Sequence, residues 1–425
     1  MVLIVTVERC IATIYLLLVV TPTFGYKRIN DYSEEDLDYD RDFESYTEDY
    51  EKFFVHQVPL NLKGTVRKHF LVDTALTNPS KSMICSPVSA LLPLGKLAIG
   101  AQGKCLNELL SAIGIESLRK IRKEFKPLIR RLGSLSGVTL TILSKIFVSK
   151  EVELKSKFRR RAKKIFNSAV ERVDFHDPTT AAKEINGWVR DKTHNKIPRI
   201  VLENEISPQT SLVLVNAVYF SGTWLNTFKK IKVDKFYAPS SVRSIPFLTR
   251  EGYYNYSKSD DLDAQVVEIP YQGEQASFVV ILPNSRDGLP VLLHKLKVAP
   301  ELLTGAVSHL RSADLILTIP KFKTETEIDL KVSYEKLGIT EIFRTDKSGL
   351  DKIVKEKQNI HVSKAKQKAI IEVTEKGTEA AAASVANFVT ASAPKVHKTI
   401  FNANHPFMYF VRFRREQIFA GVFNF

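Results

Sequence analysis

The chain has 425 residues, 44% of them apolar, and a formal charge of +15 at pH 7. That composition is the one expected of an ordinary globular protein with a sizeable core, and three cysteines are too few for a disulfide-built scaffold. Nine histidines lie scattered without metal-ligand spacing, and neither a G-x-S-x-G elbow nor a Walker loop occurs, so no metal centre and no catalytic constellation emerges.

Residues 1–25 read as a secretory signal: Arg9 precedes an apolar run, Cys10–Val20, and small residues follow at Thr23 and Gly25. The run is too short to span a bilayer. Residues 26–59 form an acidic extension that cannot fold alone. Its core, Asp31 to Glu51, holds eleven Asp/Glu, one Arg and the tyrosines Tyr32, Tyr39, Tyr46 and Tyr50, with almost no aliphatic content. The tract carries −10 and residues 1–30 carry +2, so residues 52–425 must supply +23 to reach the total. Two readings stand: a solubilising tail, or a tethered polyanion that docks on the basic body until a competitor displaces it. Tyrosines among acids in a secreted chain are candidate sulfation sites under either reading.

From residue 60 to 425 no Gly/Pro/Ser-rich linker divides the chain, and one folded domain is expected. Cys85 and Cys105 lie in apolar, helical surroundings and read as buried free thiols, with a bridge between them as the alternative. Leu118, Ile121, Phe125, Leu128 and Leu132 recur at helical spacing. Arg119, Arg122, Lys123, Lys126, Arg130 and Arg131 fill most of the remaining positions, and Pro127 predicts a kink. A second basic run covers Lys155–Lys164. Such a face is either simply solvated or suited to sulfates and to the acidic tail; nucleic acid is a poor partner for a secreted chain.

Thr210–Trp224 is a nearly continuous apolar run, as in a strand buried on both faces. Gln265–Pro270 and Ala276–Pro283 alternate around Gly273 as a hairpin, and Ala313–Ile319 reads as another strand. Asn255-Tyr-Ser257 is a glycosylation sequon. Near the C-terminus, Lys368–Glu375 and Phe407–Arg412 read as strands. Between them lies Glu375-Lys-Gly377-Thr378-Glu379-Ala380-Ala381-Ala382-Ala383-Ser384. Four alanines suggest a helix, but the flanking strands favour a segment able to become a strand itself. On one alternate face stand Thr378, Ala380, Ala382, Ser384 and Ala386, none charged and none large. Glu379 falls on the opposite face.

At this hinge, and at Asn402–Arg412 beyond it, the chain closely resembles the serpin family, and the likeness extends over almost everything after Leu60. The resemblance implies an α+β fold with helices around three β-sheets and an exposed reactive loop at about 375–400. It also implies that the chain is bait for a serine endopeptidase, not an enzyme. A protease would form an acyl-enzyme at the loop, and the cut loop would then insert into the main sheet. Counting from Gly377 places the reactive bond at Ala391–Ser392, which suits an elastase-like pocket, with Lys395–Val396 as the alternative for a trypsin-like one. Ile84–Leu91 and Leu94–Gly103 match the helix that runs beneath the main sheet and its turn. Ser86, Ser89 and Asn216 match the family's shutter, and Trp224 marks the end where insertion starts. Two departures occur: Ser82 stands where the family usually has Asn, and Gln367 where it has His. Ile185–Val189 and Asn195–Ile197 match the helix crossing the main sheet. The basic helix matches the one that binds heparin in antithrombin-like members, and the heparin cofactor branch carries a similar acidic, tyrosine-bearing extension. A heparin-like glycosaminoglycan is thus an expected activator, no other cofactor is implied, and a secreted monomer is expected. The competing class is a non-inhibitory serpin, usually marked by bulky, charged or Pro hinge residues. In the uncut loop the Thr378 side chain is expected to meet only water.

Overall fold

The alternating and helical apolar patterns become strands and helices that bury them. The computed structural model describes residues 65–77, 79–133, 137–168, 170–355, 360–378, 398–413 and 416–425, all within one compact unit, Pro59–Phe425. In chain order they form α1 (Thr65–Thr77), β1 (Met83–Cys85), α2 (Pro87–Gly100), α3 (Gly103–Ile113), α4 (Leu118–Leu132), β2 (Val138–Ser149), α5 (Ser156–Phe166), β3 (Val170–Val173) and α6 (Pro178–Lys192). Next come β4 (Leu212–Thr223), β5 (Lys230–Ala238), β6 (Ser241–Ser259), β7 (Ala264–Pro270), β8 (Ala276–Pro283), α7 (Leu289–Val298), α8 (Glu301–Ser308), β9 (Arg311–Pro320), β10 (Phe322–Asp329) and α9 (Leu330–Lys336). The chain ends with β11 (Val362–Val373), β12 (Gly377–Thr378), β13 (Thr399–Asn402), β14 (Phe407–Phe413) and β15 (Glu416–Phe423).

The main sheet runs β10-β11-β12-β4-β2-β3. The remaining strands form one network, β1-β15-β14-β8-β7-β6-β9-β13, with β5 on β6. The 19-residue β6 joins two of the three expected sheets: Phe247–Tyr256 pairs with β9 and Asn255–Ser259 with β7. The α+β architecture therefore stands as expected. The main sheet is buried on both faces. Its inner face rests on the general core around α2, while its outer face carries a smaller core in which Ile185 and Val189 of α6 cover Val213, Val215, Ala217 and Ile370. This two-sided burial explains why β4 reads as an unbroken apolar run.

Two local expectations change. Met83–Cys85 is a strand paired with Gly421 and its neighbours, so the helix begins only at Pro87 and Cys85 lies in a strand. The stretch from Leu94 to Gly100 belongs to the same helix rather than to a turn. Ser86 sets the start: its Oγ accepts the Ser89 N–H at 3.2 Å, and Pro87 occupies the first turn, where a missing N–H costs nothing. Both Cys85 and Cys105 are free and buried, and burial pushes the Cys105 thiol up to about 12. Helix α4 buries Ile121, Phe125, Leu128 and Leu132 as its spacing predicts and runs on through Pro127.

Candidate functional site

The site is the seam between β4 and β11, and its upper end is already open. From Val362↔Leu212 to Ile370↔Tyr219 the two strands pair directly and in parallel. Above that level β12 lies between them, antiparallel to both, with Thr378 opposite Val373 and Gly222, and Gly377 opposite Thr223. A Cβ on Gly377 would stand 2.0 Å from the Gly222 carbonyl oxygen, so only glycine admits this approach. Thr378 is fully buried, and its Oγ1 lies 2.6 Å from the Tyr271 hydroxyl. The exposed Thr378 expected from the sequence is therefore wrong. The turn at Thr374–Lys376 folds the chain straight back into the sheet, and a buried hydroxyl receives it.

The turn is held by residues from three directions. The Trp224 indole N–H donates to the Thr374 carbonyl at 2.9 Å, and its ring stacks on Tyr271 at 4.6 Å. The Trp224 and Phe228 amides donate to the carbonyls of Lys376 and Glu375. Lys321 Nζ lies 2.8 Å from Glu375 Oε2. That ammonium, followed by the residue's own N–H, holds the Glu375 carboxyl below the usual range despite some desolvation. Trp224 thus sits against the turn that leads into β12. Tyr271 gave no local signal, since it lies 107 residues from its partner.

Midway down, the inner face carries the shutter residues. Gln367 Oε1 accepts the Ser86 N–H at 2.9 Å, while its Nε2 donates to the Ser86 carbonyl at 3.0 Å and to Ser89 Oγ at 2.9 Å. Ser86 Oγ donates to the Ile418 carbonyl, and Asn216 Nδ2 to the Ser89 carbonyl. The latter carbonyl is available because Pro93, four residues on, has no N–H to return to it. The Gln367 amide thus ties β11 to the start of α2 at both Ser86 and Ser89. Ser82 plays no part in this network: its Oγ accepts the amides of Asn424 and Phe425 and anchors the C-terminus. Among the described residues Asn216 Oδ1 is one of the few buried side-chain atoms without a partner.

On α4, Arg119, Arg122, Lys123 and Arg130 are exposed, and Lys126 and Arg131 are half-buried. The helix packs on α5 through Phe125 and Phe166, whose rings lie 5.0 Å apart; Gly95 of α2 makes room, since a Cβ there would sit 2.8 Å from Phe125. The exposed Arg159, Arg160, Arg161, Lys163 and Lys164 of α5 are thereby placed on the helix next to α4. Asn255 is exposed on β6, with its amide donating to Glu268. Residues 1–64, with Tyr32, Tyr39, Tyr46 and Tyr50, and the loop residues Glu379 to Ser384, Ala391, Ser392, Lys395 and Val396, lie outside the described residues. Among those described, no helix is long and apolar enough to cross a membrane, and no His/Cys/Asp/Glu group could hold a metal ion.

Three comparisons with known proteins agree on what this chain is similar to. Residues 69–424 match the family model described as Serpin (serine protease inhibitor). Antichymotrypsin-2 of Bombyx mori is 39% identical over 83% of this chain and 94% of its own. The crystal structure of Serpin48, described as a highly specific serpin in the insect Tenebrio molitor, superposes with a TM-score of 0.76 at 28% identity, covering 84% of this chain and 94% of that one. That of native protease nexin-1 with heparin gives 0.74 at 27% identity, covering 85% and 97%. The chain belongs to the serpins, a family of serine protease inhibitors.

Proposed function

We propose that this serpin is a secreted monomer that traps a serine protease as its acyl-enzyme by drawing the loop after Thr378 into the seam. The observation that carries this reading is β12. Continued at the same register, the strand brings Ser384 between Gln367 and Asn216, which now pair with each other. Alternate residues then face inward as Thr378 does, and these are Ala380, Ala382, Ser384 and Ala386, small enough to follow it. Large or charged residues on that face would mark a non-inhibitory relative, and the face has none as far as Ala386.

The protease serine attacks the Ala391 carbonyl, the Ser392 amine leaves, and the loop is freed at one end. Its insertion then drags the bound protease before water can cleave the ester. Alanine at the cut suits a small, elastase-like specificity pocket; Lys395–Val396 would serve a trypsin-like one. Signal-like residues 1–25 support secretion. The α4 face, with α5 beside it, supports binding of a heparin-like glycosaminoglycan, and the −10 tract of the extension supports competition for the same face. Incubation with pancreatic elastase, chymotrypsin and trypsin tests the reading. An SDS-stable adduct and a released peptide starting at Ser392 are expected; cleavage without adduct by every protease would refute it.

A further inference from the structure

On the outer face of the seam, opposite the shutter, lies an ion triad with no counterpart among the residues described above. Lys366 of β11 is nearly buried. Its Nζ contacts Glu205 Oε1 at 2.5 Å and Glu327 Oε1 at 2.6 Å. Glu327 stands on β10, the strand beside β11, on the same side of the seam. Glu205 does not. It belongs to the segment returning from α6 into β4, and that segment is fastened to the far side: Asn186 of α6 accepts the amides of Ile200 and Val201 and donates to the Val201 carbonyl. Ile197, Ile200, Val201 and Ile206 of the segment pack in the outer core with Val213 and Val215 of β4. Glu205 Oε2 is itself oriented by the Leu202 N–H at 2.8 Å. The Glu205–Lys366 contact therefore crosses the line along which β4 and β11 must part. Lys366 pairs with Val215, one residue from the Gln367–Asn216 pair.

We propose that Glu205–Lys366 is a latch across the outer face of the seam and sets the rate at which the hinge strand lengthens beyond its first residues. This rests on the insertion reading above. Admitting one strand moves β4 and β11 apart by about 4.8 Å, the spacing of neighbouring strands. A contact of 2.5 Å cannot survive that unless the Glu205 segment lifts away. Charge-assisted hydrogen bonds between largely buried partners are among the stronger polar contacts, so breaking this one belongs to the barrier rather than to the product. Glu205 and Lys366 thus act as positioning residues for the opening, not as groups that touch protease.

The test uses the full-length native protein and a synthetic peptide with the sequence of residues 378–389, followed by its uptake into the main sheet as a gain in heat stability. Glu205→Gln, which keeps shape and removes the charge, should take up the peptide on the order of tenfold faster than wild type. Glu205→Asp, one methylene shorter, should fall between them and stands in if the Gln variant is not recovered. Glu325→Gln is the control. It removes the partner of Lys368 at 2.8 Å on the same two strands but crosses no seam, so uptake should stay within about twofold of wild type. Equal rates for Glu205→Gln and wild type, or equal acceleration by Glu325→Gln, would overturn the latch while leaving inhibition intact. A wild-type protein that takes up no peptide and forms no protease adduct would overturn the insertion reading, and the latch with it.

Discussion

Replacing Thr378 by Arg separates folding from inhibition, and the structure fixes the sizes involved. In the native sheet a guanidinium at this position would take the place of a fully buried hydroxyl whose partner is the neutral Tyr271 hydroxyl. Burying such an ion without a partner costs about 3–5 kcal/mol. Releasing residue 378 from the sheet costs less, because two or three hydrogen bonds are lost at about 0.5–1.5 kcal/mol net each. Release therefore wins. The variant should secrete and fold, with β12 withdrawn and a small fall in native heat stability. After cleavage the same ion must enter first, before any later residue has formed ladder bonds. A barrier raised by about 3–5 kcal/mol slows insertion roughly 10²–10⁴-fold, enough for the ester to hydrolyse. On a denaturing gel the variant should run as cleaved protein with no adduct, cut at the same bond, and the cleaved form should lack the gain in heat stability seen for wild type. Glu379→Arg, on the opposite face, should form adduct nearly as well as wild type. Wild-type adduct yield from Thr378→Arg would show that the loop does not enter from this end.

Ala391→Arg should shift adduct formation from elastase towards trypsin; mass spectrometry of the released peptide in the unchanged protein should give Ser392 as its first residue, and Val396 would move the reactive bond to Lys395. Deleting residues 26–51 should change heparin affinity more at low salt than at high, and superimposable salt curves would remove the docking tail. Lys96, buried in α2, donates to the Ser144 carbonyl, and burial first and Lys145 second lower its ammonium to about 7. Below pH 7 it is charged in both folded and unfolded chains and the full burial penalty applies; above about 10.5 it is neutral in both. Native stability should therefore rise with pH between those values, and Lys96→Met should flatten that slope in thermal melts at pH 7, 8 and 9.

Much of this architecture was legible because it follows from alternation. The strand from Leu212 to Thr223, the β7–β8 hairpin and the buried stripe of α4 are each set by local periodicity. Of the alternating face at 378–386 only Thr378 is among the described residues, and its side chain points into the sheet's inner core. How far the hinge has entered was not legible, since depth depends on Tyr271, Gly222 and Trp224, far away in the chain. Met83–Cys85 was lost to the helix reading because three apolar residues carry no period of their own. Pro93 is a signal in the sequence itself: a proline inside a buried helix leaves a carbonyl without its partner, and here Asn216 supplies it.

The energetics of the seam explain why β4 and β11 stay paired from Leu212 to Tyr219. Over that stretch the two strands share eight residue pairs. Insertion destroys this parallel ladder and builds two antiparallel ones, so the net gain is one ladder. At roughly one hydrogen bond per pair and about 0.5–1.5 kcal/mol each, the gain is about 4–12 kcal/mol, comparable with the stability of a typical whole protein. The losses come first, however. Before new bonds form at mid-sheet, Gln367 and Asn216 must part on the inner face and Glu205 must leave Lys366 on the outer one. The uncut loop is also held at both ends, by Thr378 in the main sheet and by Thr399 paired with Leu315 on the edge strand β13. Each further residue drawn into the seam shortens the chain left to span that gap. On the proposed insertion reading, cleavage would lift only this last restraint, and a protease that cuts the loop would remove the one obstacle the chain cannot remove for itself.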